Sequence, residues 1–276
     1  MTDYNFDDVI LSALTEDIPQ GDITSESVVP ADSRSKAVIM AKEEGILAGI
    51  PVAQRVFELI DPSVSFRVLK RDGRFVQIGD LLAEIEGPSI SLLKGERTAL
   101  NFLQRMSGIA TTTRKFVQIL SGSGTKVLDT RKTTPGMRVL EKYAVKMGGG
   151  ENHRSSLSDM VLLKDNHLHI VGSVSAAVRL AKEKVPSHIK VEVETTNMDE
   201  VKEAIESGAD IIMLDNMPIE EMREAIQWVN GRVPLEVSGN VTLQNAAGLK
   251  DLGVDFISIG GLTHSYQSLD ISLEFL

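Results

Sequence analysis

The stretch IKVEVETTNMDEVKEAIESGADIIMLDN (189–216) decides the fold. A short apolar run, IKVEVE (189–194), is followed by a helical stretch at 197–207 and a second run, DIIMLD (210–215). The same grammar extends outward. Further runs stand at TKVLD (125–129), DMVLLK (159–164), PLEVSG (234–239) and DFISIG (255–260), with helical stretches at 173–184 and 218–229. The last four strand ends, at 194, 215, 238 and 260, are spaced by 21, 23 and 22 residues. Strands alternating with helices form a parallel sheet, and the even spacing predicts a barrel rather than an open sheet.

The first hundred residues read differently. A helical start at 6–14 precedes KAVIMAKEEGILAG (36–49), which reads as strand, turn and strand, and a helix is expected at 51–59. VSFRVLKRDGRFVQIGDLLAEIEG (64–87) alternates around Asp72-Gly73, a hairpin signal. From Ser91, apolar residues at 92, 93, 99, 100, 103 and 106 form a helical stripe.

Composition excludes several classes. The chain has 276 residues, 42% apolar and 25% charged, as a globular protein should. No apolar run approaches the roughly 18 residues of a membrane helix. Zero cysteines exclude a disulfide framework, a cysteine nucleophile and a thiolate metal site. The acidic start, MTDYNFDDVI, is not an export signal, so the cytoplasm is the expected address. A net charge of −10 argues against nucleic acid and anionic membrane as partners. Yet residues 126–164 hold eight Lys/Arg against four Asp/Glu, so this island is +4. An ordinary solvated surface would give the same count, but such an island suits a small anionic ligand better than a polymer.

Each barrel strand closes on polar residues or glycine, and in a β/α barrel those ends build the active-site face. Arg131, Lys132, His153, Arg154 and Lys164 bring cations there, beside GGGENHR (148–154). Arginine offers a planar fork for carboxylate or phosphate, and lysine a movable charge. Glu194 and Asp215 end adjacent strands. They read either as ion-pair partners of the cations or as groups holding a metal-bound, hydroxyl-rich substrate. Ser238-Gly239-Asn240 and Ile259-Gly260-Gly261 close the last two strands, where barrels commonly bind phosphate. These residues predict an enzyme for a phosphorylated, multiply anionic substrate, working with Mg²⁺, and leave the reaction open.

The motifs GDITS (21–25), GERTALNFLQRMSGIAT (95–111), DTRKTTPGMRVLEKYAVKMGGGENHR (129–154), LLKDNH (162–167), VEVE (191–194), LDN (214–216), EVSGN (236–240) and SIGGLTHS (258–265) resemble the quinolinate phosphoribosyltransferase family, in order, from about residue 15 onward. The long 129–154 block is the specific part; Gly261 departs from the alanine more usual in the family. The resemblance implies an N-terminal α/β sandwich domain (1–110) and an incomplete parallel α/β, TIM-like barrel (111–276), with the extreme C-terminus packing back on the first domain. It implies transfer of the phosphoribosyl group of 5-phosphoribosyl 1-pyrophosphate to quinolinate, with loss of pyrophosphate and CO₂, using Mg²⁺. By motif, Arg97, Arg131, His153 and Arg154 hold the quinolinate carboxylates, Lys164 lies near both substrates, and Lys132 near the pyrophosphate, with Thr130 in the same block. Glu194 and Asp215 contact the ribose hydroxyls and the metal, directly or through substrate or water. Ser238, Gly239, Asn240, Ile259, Gly260 and Gly261 form the 5-phosphate region, and His264, also assigned to substrate binding, follows in the same last loop. The family also implies a homodimer, or a hexamer of dimers, with Arg97 reaching the neighbouring active site.

Other readings differ in chemistry. A molybdenum-transport paralogue shares the architecture and many motifs. A Schiff-base barrel enzyme would use Lys164 as nucleophile. The hairpin at 71–82 has the pattern of a lipoyl or biotinyl carrier, but its turn holds Asp72-Gly73 where such carriers hold lysine. A non-catalytic ligand sensor would bind without forming product.

Overall fold

The structure, a computed structural model, describes residues 6–276. The chain divides into two compact units, one formed by residues up to 114 with 133–149 and 262–276, the other by 115–132 with 150–261. The segment 133–149 belongs to the first unit.

The first unit contains strands β1 (Arg34–Ala41), β2 (Gly45–Ile46), β3 (Ser65–Val68), β4 (Phe75–Val76), β5 (Leu81–Pro88) and, from the far end of the chain, β12 (Ile271–Phe275). Four of them make a sheet in the order β12-β1-β5-β3, every neighbour antiparallel, with Ala37 opposite Phe275 and also opposite Ile85. The helix Ile50–Ile60 buries Val52, Ala53, Val56 and Phe57. On the 31-residue helix Ser89–Ile119, Leu92, Leu103, Met106 and Ile109 are fully buried. Each such side chain contributes about 1.5–3 kcal/mol relative to exposure. Gly108 on this helix is required by packing, because a Cβ there would sit 2.0 Å from the Gln267 carbonyl oxygen. Gln104 Nε2 then donates to Ile271 O at 2.7 Å and ties β12 down.

Asp72-Gly73 does not join β3 to β5 as a tight hairpin. β2 and β4 form their own two-stranded sheet, and the Asp72 carboxylate caps the helix Ile50–Ile60. It accepts from Gly49 N at 2.8 Å, Ile50 N at 3.1 Å and Tyr143 Oη at 2.8 Å. The helix N-terminus, with its unpaired N–H groups, recruits the turn that local patterning assigned to a hairpin.

The second unit holds β6 (Lys126–Leu128), β7 (Val161–Leu163), β8 (Val191–Thr195), β9 (Ile211–Asp215), β10 (Leu235–Ser238) and β11 (Phe256–Ser258). All six predicted strands form, in one parallel sheet ordered β6-β11-β10-β9-β8-β7. The sequence neighbours β6 and β7 occupy its two edges, which makes it an incomplete α/β barrel. Burial on both faces explains the near-continuous apolar runs. The intervening helices start where expected, with Ser173 accepting from Ala176 N and Asn197 from Glu200 N.

Candidate active site

The C-terminal ends of these strands enclose a cavity of about 470 Å³. Thr130, Arg131, Lys132, His153, Arg154, Lys164, Glu194, Asp215, Ser238, Gly239 and Asn240 line it, and so do Leu162, Met213, Asn216, Glu236 and Ser258. Eleven of the sixteen predicted side chains and backbone positions therefore converge. Ile259 is instead packed into the barrel, 2% exposed, and Gly260 and Gly261 follow β11 outside the lining. Arg97 and His264 belong to the first unit, both exposed, with His264 Nδ1 2.6 Å from Ser265 Oγ.

The cations are held by what lies behind them. Asp129, fully buried at the end of β6, accepts from His153 N at 2.9 Å and from Asn152 Nδ2 at 2.5 Å, which fixes the GGGENHR turn. Arg154 Nη1 donates to Met160 O at 3.0 Å. Burial, and after it the charge of Arg131, holds the Arg154 guanidinium below its ordinary value. A half-buried guanidinium beside a second cation forms a site that an anion relieves.

Glu194 and Asp215 stand on neighbouring strands, β8 and β9, at the same cavity. Lys164 Nζ donates to Glu194 Oε2. Asn216 Nδ2 donates to Asp215 Oδ2 at 2.7 Å, and Asn240 Nδ2 to Asn216 Oδ1 at 3.0 Å. Gly239, at φ 98°, lies under this link: a Cβ there would meet Asn216 Oδ1 at 2.2 Å. Two hard carboxylate donors at an open mouth suit Mg²⁺, which takes one or two protein carboxylates and completes its shell with water and phosphate.

Beneath the mouth lie two carboxyls that the sequence reading passed over. Glu192 and Glu236 are 0% and 1% exposed, one pleat period below Glu194 and Ser238. His153 Nε2 is 3.0 Å from Glu192 Oε2 and 3.7 Å from Glu236 Oε2. Burial, and next the charge of Glu192, pushes the Glu236 carboxyl up to about 8. Alternation carried the signal, because a strand residue two before a mouth residue faces the same side.

Two families match this chain: the quinolinate phosphoribosyl transferase N-terminal domain over residues 22–107 and its C-terminal domain over 109–274. A probable nicotinate-nucleotide pyrophosphorylase [carboxylating] of Bacillus subtilis (strain 168) is 44% identical over 259 residues, covering 94% of this chain and 89% of the relative. The chloroplastic nicotinate-nucleotide pyrophosphorylase [carboxylating] of Arabidopsis thaliana is 42% identical, covering 98% and 83%. The crystal structure of NadC from Streptococcus pyogenes superposes with a TM-score of 0.95 at 44% identity over 100% of both chains.

Proposed function

Because the chain belongs to the quinolinate phosphoribosyltransferase family, we propose that it transfers the phosphoribosyl group of 5-phosphoribosyl 1-pyrophosphate to quinolinate with decarboxylation, releasing nicotinate mononucleotide, pyrophosphate and CO₂ for NAD biosynthesis. The observation that carries this reading is one cavity lined by Arg131, Lys132, Arg154 and Lys164 together with Glu194 and Asp215.

The roles follow from charge. Arg131 and Arg154 receive the two carboxylates of quinolinate, and Lys164, at the end of β7, lies between the two substrates. Lys132 meets the pyrophosphate. Departure of pyrophosphate leaves an oxocarbenium-like ribose, whose positive charge Glu194 and Asp215 stabilise. The pyridine nitrogen attacks that carbon, and the cationic ring accepts the electron pair left when the 2-carboxylate departs as CO₂. No side-chain nucleophile is needed: the protein positions two polyanions that repel each other in water. Ser238, Gly239 and Asn240 receive the 5-phosphate. Mg²⁺ held by Glu194 and Asp215 would neutralise pyrophosphate charge.

Incubation with quinolinate, 5-phosphoribosyl 1-pyrophosphate and Mg²⁺, followed by mass detection of nicotinate mononucleotide, tests the reaction. Nicotinate lacks the 2-carboxylate and leaves a cation without its partner. That loss of about 1.5–3 kcal/mol predicts roughly 10- to 150-fold slower use. Equal turnover of the two acids would refute the assignment of the basic cluster.

We read the working form as a homodimer, or a hexamer built from dimers, in the cytoplasm, with exposed Arg97 entering the neighbour's cavity. No helix among the described residues is long and apolar enough to cross a membrane. Mixing Arg97→Ala with Arg131→Ala protein under subunit exchange should restore about a quarter of wild-type activity, since about half the dimers are mixed and each regains one native site. If Arg97 serves its own chain, none returns.

A further inference from the structure

The two buried glutamates have no part in the chemistry above, and Glu192, which does not line the cavity, touches His153, which does. His153 Nδ1 lies 2.8 Å from Arg154 N, which donates to it. A ring nitrogen that accepts an N–H carries no proton, so in the neutral ring the proton sits on Nε2. Nε2 faces Glu192 Oε2 at 3.0 Å. The imidazole is therefore a bridge from the barrel interior to the backbone of Arg154.

We propose that Glu192 is a positioning residue: its buried carboxylate fixes His153 as the Nε2–H tautomer, and through that ring it holds the Arg154 turn ready for the carboxylates of the substrate. The inference rests on the phosphoribosyl-transfer reading for its kinetic consequence, but not for its geometry. It also gives His153 a different task from binding a carboxylate itself, because both of its nitrogens face groups of the protein.

The same three side chains, His153, Glu192 and Glu236, place ligand atoms within 4.8 Å of one another, a spacing a divalent cation would accept. The tautomer decides against that occupant. A metal on Nε2 requires an unprotonated Nε2 and a proton on Nδ1, and the Arg154 N–H occupies the Nδ1 lone pair.

The first test uses the wild-type protein with histidine labelled in ¹⁵N, the five histidines being assigned with a His153→Asn variant. The expected spectrum has a protonated Nε2 and an unprotonated Nδ1 for His153 near pH 7, unchanged by Mg²⁺ or Zn²⁺ alone. An Nδ1–H tautomer, an imidazolium, or loss of the Nε2 proton on adding either metal overturns the proposal. The second test is kinetic. Glu192→Leu should raise KM for quinolinate roughly 10-fold or more, with KM for 5-phosphoribosyl 1-pyrophosphate moving less than about threefold. Glu192→Gln, which keeps an acceptor oxygen, should recover most of that loss and keep the tautomer. A fall in kcat with both KM values unchanged would mean fewer folded sites, and would refute positioning. If the wild-type protein forms no nicotinate mononucleotide, the functional reading fails while the tautomer result still stands or falls alone.

Discussion

Among the described residues, the Glu141 centre of the first unit and the Glu192–Glu236 pair of the second both hold fully buried carboxyls, and they are built on opposite terms. In the first unit, Glu141 is 0% exposed and fully engaged. Its Oε1 accepts from Arg105 Nε at 3.0 Å and from Nη2, and its Oε2 accepts from Thr134 N at 3.2 Å. Arg105 Nη1 donates to Tyr266 Oη at 2.5 Å, and the guanidinium lies 4.5 Å from the centre of that ring. In the second unit, Glu192 and Glu236 share one histidine, and one oxygen of each is buried without a hydrogen-bond partner. A saturated network specifies a fold; a half-satisfied one costs stability and persists where a site needs it. The difference separates an acid that serves structure from acids that serve a binding mouth.

The strongest way to break this comparison is Arg105→Met. Removing one partner of a buried pair leaves an uncompensated charge, so about 3–5 kcal/mol of stability should go, read as a lower urea midpoint. A loss below about 1 kcal/mol would mean the centre is not structural. Next in size is the mouth. Arg154→Ala should weaken quinolinate binding by about 1.5–3 kcal/mol, whereas Asp215→Asn should chiefly lower turnover and the response to Mg²⁺. Calorimetry showing Asp215→Asn abolishing quinolinate affinity, with turnover of bound substrate intact, would reverse the two roles.

The smallest effect concerns Glu236. Its folded-state value lies above the ordinary 4.5, at about 8, so as pH rises between those values the unfolded chain loses its proton while the folded one keeps it. Stability from this group is then full below about 4.5 and falls as pH approaches 8. Glu236→Gln removes that penalty. Its stability margin over wild type should be near zero at pH 4 and widen steadily as pH rises toward 8. Denaturant curves at several pH values check the slope, and a margin that shrinks with pH would contradict it.

What could be read from the sequence followed the range of the interaction. Six parallel strands were legible because burial on both faces writes them as apolar runs, and their polar ends marked the mouth from Arg131 to Asn240. Glu192 and Glu236 were legible in principle, two residues before Glu194 and Ser238, but a glutamate inside a strand motif was read as part of the strand. Arg105 and Glu141 lie 36 residues apart, and no local pattern joins them. Asp72 misled for the same reason: its partners, Gly49 and Ile50, lie more than twenty residues upstream. His264 sits one residue after a buried threonine in a segment assigned to the first unit, and motif order alone could not say so.

The pairing of β12 with β1 also sets a timetable for synthesis. Residues 37–41 leave the ribosome early, whereas their partners at 271–275 emerge only after the whole second unit has been made. Until then β1 has β5 on one side and a bare edge of Ala37-Val38-Ile39-Met40-Ala41 on the other. Apolar, uncharged edges recruit foreign strands, and nascent chains are most exposed to that hazard. Translation pauses late in the message would prolong this interval, and a chaperone that shields residues 37–41 would bridge it.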